Sequence, residues 1–356
     1  MIAKKSLRKE YENLLDHSWK AKHLKTPKCD ETIIIKCAVT GASGFIGKHV
    51  VAEALREGYG VVAITRQGQK AYLESFLIEH KAISIANLEV RTCDLNDNQT
   101  LMNSIADCNV AVHLAASMDS SIIGGRPDGK QQYQQTIKTT ENLFEAISTS
   151  NIKKLVLVSS ISVLNYVDQA PYSTIDEKTP LHNRDKDIGA YARMKRDQEK
   201  LCNQWQLDTG KKLIIVRPGL VFSDKQLSDA HAGFIKKGAG IAAIHNGQVP
   251  LIKVKYVAER IIKLLDLTLD SKELFHIVGK LPILQTDYLK QLRRRGKLKF
   301  YLPLPWKIYE QLINVIRWIL IKNKQSKIPD SFYANSVAAR HKPFVYSSEK
   351  IDNIIK

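Results

Sequence analysis

The sequence predicts an α/β fold: a doubly wound parallel sheet with a smaller C-terminal lobe. Three observations carry that prediction. Short β-branched runs alternate with helix-length segments from residue 33 onward. Runs such as Leu155-Val156-Leu157-Val158 are apolar at every position, as strands covered by helices on both faces should be. A glycine-rich turn, Thr40-Gly41-Ala42-Ser43-Gly44-Phe45-Ile46-Gly47, separates the first apolar run from the first helical pattern.

The first strand falls within Ile33–Val39, and Lys48 to Glu57 reads as a helix with Val51, Ala54 and Leu55 on one face. Further strands are expected at Val61–Thr65, Leu88–Thr92, Val110–Leu114, Leu155–Ser159 and Leu213–Arg217. Helix-length segments between them imply right-handed crossovers and a mostly parallel sheet. Beyond Arg217 the rhythm breaks, with Gly233, Gly238, Gly240 and Gly247 in a weakly periodic stretch. A helical pattern follows at Val257–Leu267, then a short run at Phe275–Val278 that is placed to complete the sheet. Three parts result: a basic N-terminal extension over 1–31, the α/β domain over 32–222, and a lobe with a basic apolar tail over 223–356.

Hydrophobic residues at 44% and charged residues at 25% exclude collagen, coiled coil and whole-chain disorder. No apolar run approaches the ~20 residues that cross a bilayer. The opening MIAKKSLRKEYENLL lacks the apolar stretch of a secretory signal, so a cytoplasmic, reducing setting is expected. Cys29, Cys37, Cys93, Cys108 and Cys202 are odd in number and scattered, which suits buried thiols and neither a metal site nor a disulfide frame. The net charge of +18 is concentrated: from Lys290 to Lys327 eleven Lys and Arg stand against one acid, Glu310. Such a field attracts phosphates, anionic lipid or nucleic acid without choosing among them.

Glycines at 41, 44 and 47 have a mechanical logic. One makes the tight turn, one lets backbone N–H groups approach a pyrophosphate, and one allows close helix–strand packing. The helix that follows presents its positive end to the anion. Gly41, Ala42, Ser43, Gly44, Phe45, Ile46 and Gly47 are therefore the expected dinucleotide cradle. At the end of the second strand, an acid would bind the ribose hydroxyl of NAD. This chain has Arg66 there, a guanidinium able to pair a 2′-phosphate, which favours NADP(H) with NAD as the alternative.

Tyr191-Ala192-Arg193-Met194-Lys195 places a phenol and an ammonium on one helical face. A free phenol, with a pKa near 10, is a poor base at neutral pH; a neighbouring cation is expected to favour the phenolate. Ser160 lies just past a strand end, where it could hold a substrate oxygen. Ser159 and Ser162 are alternates.

TGASGFIG, CDL at 93–95, HLAA at 113–116, VSS at 158–160, YARMK at 191–195 and RPGLVF at 217–222 occur in this order. The set resembles the extended short-chain dehydrogenases/reductases, a family that includes nucleotide-sugar epimerases and dehydratases, over roughly residues 33–280. The resemblance implies a Rossmann-type domain over 32–222, with Asp94 and Leu95 lining the adenine pocket and Leu114, Ala115 and Ala116 beneath the cofactor. It implies Ser160, Tyr191 and Lys195 as the catalytic set, Lys195 also bonding the nicotinamide ribose, and Pro218 near the carboxamide. Two segments depart from the family pattern: Thr136–Leu143, where an asparagine and a glycine are replaced, and Pro250–Ala258.

The leading expectation is an NAD(P)-dependent oxidoreductase or epimerase acting on a secondary alcohol or ketone. By the resemblance, the substrate is a nucleotide-activated sugar whose diphosphate a basic lobe would suit. One alternative is an NADPH-dependent reductase or dehydrogenase of an apolar ring, of the steroid or dihydroflavonol kind. Another is a non-catalytic dinucleotide-responsive protein, against which stand Ser160, Tyr191 and Lys195 together. No nucleic-acid partner is expected, because no aromatic-and-basic stacking platform is evident. In the tail, Ile308, Tyr309, Leu312, Ile313, Ile316, Ile319 and Leu320 form one helical stripe. It is expected to pack on the lobe or on a second subunit in a homodimer. Peripheral contact of 293–322 with the inner face of a membrane is the alternative.

Overall fold

In the computed structural model, residues 34–80, 85–115, 129–268, 270–280, 283–323 and 328–355 are described. The N-terminal extension, Cys29, Ile33 and Ala116 lie outside them. Seven strands form the main sheet: β1 Lys36–Thr40, β2 Gly60–Thr65, β3 Leu88–Thr92, β4 Val110–His113, β5 Lys154–Val158, β6 Lys212–Pro218 and β7 Lys272–Ile277. They pair in the order β7-β6-β5-β4-β1-β2-β3, every pair parallel. The order reverses beside β1, which opens a crevice at the carboxyl ends of β1 and β4.

Ten α-helices lie among the described residues: α1 Gly47–Arg56, α2 Lys70–Glu79, α3 Asn98–Ile105, α4 Gly129–Ser148, α5 Ala190–Thr209, α6 Val254–Lys263, α7 Gln285–Arg294, α8 Trp306–Lys322, α9 Ala334–His341 and α10 Glu349–Ile354. Alternate residues of the strands feed two cores, one on each face of the sheet. Val39, Val61, Val112, Val156 and Val216 pack with α1, α2, α6 and α10. Ala38, Val62, Ala111, Leu155 and Ile215 pack on the other face with α3, α4 and α5. Strands buried on both faces leave no polar alternation, which is why β2 and β5 read as continuous apolar runs. The edge strand β3 differs: Glu89 and Arg91 turn outward to Lys36 and Asp107.

The lobe holds a three-stranded sheet of Gly233–Lys236, Ala239–Ile244 and Phe300–Pro305. Tyr309 and Ile313 of α8 pack on it, with Ala243, Ile241 and Leu304. Cys37, Cys93, Cys108 and Cys202 are buried free thiols.

Several boundaries move from their sequence positions. Ile34 and Ile35, apolar yet 51 and 46% exposed, precede β1 rather than opening it. The helix expected at 257–267 runs from Val254 to Lys263, because Leu265 and Leu267 close it with turn hydrogen bonds to Ile262 and Leu264. The tail stripe is corrected more sharply. Only Tyr309 and Ile313 are buried, whereas Ile308, Leu312 and Ile319 face outward.

Candidate active site

Because the strands are parallel, their carboxyl ends share one edge of the sheet. The residues singled out in the sequence follow six of those ends: Gly41–Gly47 after β1, Arg66 after β2, Asp94 and Leu95 after β3, Leu114 and Ala115 after β4, Ser160 after β5, and Pro218 closing β6. The topology thus brings together residues separated by up to 177 positions in sequence.

Gly41 takes φ +70°, and a Cβ there would lie 3.0 Å from the backbone N of Ala115. A Cβ on Gly47 would sit 2.1 Å from Gly41 O. Both positions need glycine, one for its dihedral and the close approach of β4, the other for the close approach of α1 to the turn. The turn is pinned by Gly44 N–H donating to Gly41 O at 3.0 Å. The N–H groups of Phe45, Ile46 and Gly47 find no acceptor among the described residues. A helix amino end with open donors and no side-chain cap hydrogen bond fits a pyrophosphate. Leu114 N–H donates to Thr40 O, and Asn142 Nδ2 donates to Leu95 O at 2.8 Å. Asp94 Oδ1 accepts from Asn96 N at 2.9 Å. Arg66 is exposed and makes no ion pair among the described residues.

Ser160 is extended, and its Oγ accepts from Ser162 N at 3.2 Å, which leaves its own proton to donate elsewhere. Ser159 Oγ and Ser162 Oγ are buried without partners. Of the three hydroxyls, Ser160 is the one beside the Tyr191 phenol.

Tyr191 and Lys195 occupy the first two turns of α5, as their spacing implies. Lys195 is buried, and its Nζ donates to Val158 O at 2.9 Å and to Gln198 Oε1 at 3.0 Å. Burial brings its pKa down to about 8, with the Glu199 carboxylate pulling the other way. Tyr191 is half-buried, and burial raises its pKa above the usual phenol value, with Ser160 pulling the other way. The expected cation-driven lowering by Lys195 is therefore not the dominant influence here. The ammonium is directed to the end of β5 and to Gln198.

Three features escaped sequence reasoning. Asp330 caps α5: its carboxylate accepts from Ala190 N at 3.2 Å and from Tyr191 N at 3.3 Å. Gly189 makes room for it, since a Cβ there would lie 2.7 Å from Asp330 Cγ. Glu199, also on α5, holds Arg217 of β6 by two hydrogen bonds of 2.9 and 2.7 Å, both side chains buried. Lastly, Gln198 begins a buried chain through Thr140 and His113 to Thr40. A lone charge in the apolar strand LIIVRP signals a buried partner without naming it.

A surface cavity of about 420 Å³ lies in the lobe between Ile244–Asn246 and Pro303–Trp306, lined by neither Ser160, Tyr191 nor Lys195. No cluster of metal-ligating side chains occurs among the described residues.

Residues 37–260 match the model of the NAD dependent epimerase/dehydratase family. A sterol-4-alpha-carboxylate 3-dehydrogenase, decarboxylating, from Dictyostelium discoideum is 24% identical over 309 residues, 80% of this chain and 85% of the relative. A 4-hydroxy-2-methyl-3-oxo-4-farnesyl-3,4-dihydroquinoline-1-oxide ketoreductase from Stigmatella aurantiaca is 25% identical over 52% of this chain and 49% of its own length. The UDP-glucuronic acid 4-epimerase of Bacillus cereus, in complex with UDP-glucuronic acid and NAD, shares the fold at TM-score 0.63 and 18% identity, over 90% of this chain and 93% of that one.

Proposed function

We propose, from the premise that the chain belongs to the NAD dependent epimerase/dehydratase family and is an NAD(P)-dependent enzyme, that it interconverts a secondary alcohol and a ketone on an apolar ring. The observation that carries the chemistry is the placement of Ser160, Tyr191 and Lys195 at the carboxyl edge of the sheet, the same edge that bears the open donors of Phe45–Gly47.

Gly41–Gly47 would hold the pyrophosphate, Asp94 and Leu95 the adenine side, and Leu114, Ala115 and Pro218 the floor beneath the nicotinamide. Arg66 would take a 2′-phosphate, which makes NADP(H) the preferred form. The bound dinucleotide supplies or accepts the hydride. Ser160 Oγ–H donates a hydrogen bond to the substrate oxygen and orients it, keeping its proton. Tyr191, whose pKa burial raises further above the usual phenol value, gives its proton to that oxygen when a ketone is reduced. In the opposite direction it must lose that proton first. Lys195, one turn on along α5 and held by Val158 O and Gln198, would bond the nicotinamide ribose.

The choice of an apolar ring over a nucleotide sugar rests on two supports. Two curated relatives are named for a sterol and for a farnesyl dihydroquinoline. The tail cations expected to suit a diphosphate are also partly committed: Arg295 donates to Ser223 O and Asp224 O, and Lys297 to Leu227 O. A nucleotide-sugar substrate is the second reading, favoured by Arg340, whose guanidinium lies in the field of Asp330 and Tyr309 without an ion pair among the described residues.

The test is oxidation of NADPH in the presence of cyclic apolar ketones, and separately of 4-keto nucleotide sugars, by the wild type and by Tyr191→Phe. Turnover on the first class, lost in Tyr191→Phe with NADPH binding retained, supports the reading. Turnover confined to nucleotide sugars selects the second reading. A Tyr191→Phe enzyme with undiminished turnover overturns the mechanism.

A further inference from the structure

Helix α8 is apolar on two sides. Its inner side, Tyr309 and Ile313 with Ile316, packs on the three-stranded sheet of the lobe. Its outer side carries Ile308, Leu312, Val315, Trp318 and Ile319, between 37 and 56% exposed. At 100° per residue, these five span an arc of ~120°. Burial of one side accounts for half of an amphipathic helix; it gives no reason for a second apolar side facing water.

The sheet face on which α8 packs carries further apolar residues that the helix leaves exposed. Phe234, Ile241 and Leu302 stand opposite one another in register and so share one face. Phe300 lies two residues before Leu302 on that face. Phe234, Leu302 and Phe300 are all more than half exposed. Around them are cations. Lys236 ends its strand and Lys237 opens the hairpin turn, Lys299 lies against Gly238 of the same turn, and Arg293 and Arg294 end α7. All five are exposed and none pairs with an acid among the described residues. On α8 itself, Lys322 Nζ sits 4.3 Å from the centre of the Trp318 ring.

We propose that this face docks on an anionic phospholipid bilayer, with α8 lying in the plane of the interface. Exposed Trp, Phe, Leu and Ile ringed by unpaired lysine and arginine match the interfacial layer, where apolar groups enter the acyl boundary and cations meet lipid phosphates. Lysine is depleted in protein–protein interfaces. A two-fold dimer through this patch would bring the same cationic rim from both copies into one interface. No helix among the described residues is long and apolar enough to cross a membrane, so the contact lies on the surface. This inference does not depend on the chemistry at Tyr191.

The experiment is co-sedimentation of the full chain with vesicles of phosphatidylcholine alone and of phosphatidylcholine with about one-third phosphatidylglycerol, by the anionic-surface argument. Pelleting is expected on the anionic vesicles, several-fold weaker on the neutral ones, and reduced by added salt. Trp318→Glu with Ile319→Glu should lower the partition at least about tenfold. Lys236→Glu with Lys299→Glu should lower it on the anionic vesicles selectively. NADPH binding, read by fluorescence titration, should stay unchanged in both variants, which establishes that they are folded. Failure to pellet on either vesicle overturns the proposal, as does pelleting that neither variant alters. A wild-type dimer in sedimentation velocity that Trp318→Glu converts to monomer also overturns it, by assigning the face to a second copy.

Discussion

Gln198 stands between Lys195 and Thr140: its Oε1 accepts from Lys195 Nζ at 3.0 Å, and its Nε2 donates to Thr140 Oγ1 at 2.9 Å. Thr140 meets His113 at 3.3 Å, and His113 meets Thr40 at 2.7 Å, at the end of β1. A buried polar chain therefore runs from the lysine proposed for catalysis to the strand that enters the glycine turn. Gln198→Glu sets a carboxylate against the ammonium, which favours the protonated lysine and raises its pKa from about 8. The basic limb of the pH–kcat profile should move up by about one unit or more. Gln198→Leu should lower kcat about tenfold with little change in NADPH affinity, as loss of a charge-assisted bond does. A pH profile unmoved in Gln198→Glu would mean that this ammonium does not govern turnover.

Arg66 projects past β2 without an ion pair among the described residues, so its charge is available to a ligand. Arg66→Asp should shift the ratio of NADPH to NADH dissociation constants toward NADH by about tenfold or more, the scale of one lost charge-assisted pair. Fluorescence titration with both dinucleotides measures it. An unchanged ratio would remove Arg66 from cofactor selection.

Much of this was legible beforehand, for physical reasons. Strands buried on both faces announce themselves as unbroken apolar runs, and the glycine turn could be read because φ +70° at Gly41 and the 2.1 Å approach at Gly47 permit little else. The spacing of Tyr191 and Lys195 carried over directly to α5. Other features were hidden because they depend on residues far apart. Which side of α8 packs is decided by Ile241 and Leu304, not by its own periodicity. The sequence offered Ser160 with Ser159 and Ser162 as alternates, and only the approach of the distant Tyr191 phenol to Ser160 separates the three. Arg217 needed a partner, but that it is Glu199, eighteen residues earlier on α5, follows only from the packing of α5 on the sheet.

The Arg217–Glu199 pair is buried on both sides, with two parallel hydrogen bonds. Glu199→Gln leaves the guanidinium without its counter-charge and should cost about 3–5 kcal/mol of stability. Chemical denaturation of the wild type and variant measures it. A loss below about 1 kcal/mol, typical of an exposed pair, would show that solvent reaches this contact.

Burial lowers the pKa of His113 and His276 to about 3 and of His245 to about 4. In the unfolded chain each titrates near 6.5. Between those values the unfolded chain binds more protons, so lowering the pH favours unfolding. The stability contributed by keeping these rings neutral is fully present above about pH 6.5 and is lost toward pH 3–4. Each should add a slope of up to about 1.4 kcal/mol per pH unit in that window. Denaturation at pH 7.5, 6 and 5 (chosen to bracket the window, about one unit or more apart) should show stability falling between the last two. His276→Asn should make that fall shallower. A flat profile would place these rings in contact with water.

Asp330 fixes the amino end of α5 from 139 residues downstream of Tyr191. During synthesis every strand of the main sheet is already made once Ile277 has been added, yet the helix bearing the phenol still lacks its carboxylate cap. A nascent or clipped chain ending before 330 would thus own all seven strands of the nucleotide platform with its reacting group unanchored. Timing is built into the architecture: the finished catalyst emerges well after the scaffold that carries it, whatever the sheet has achieved before.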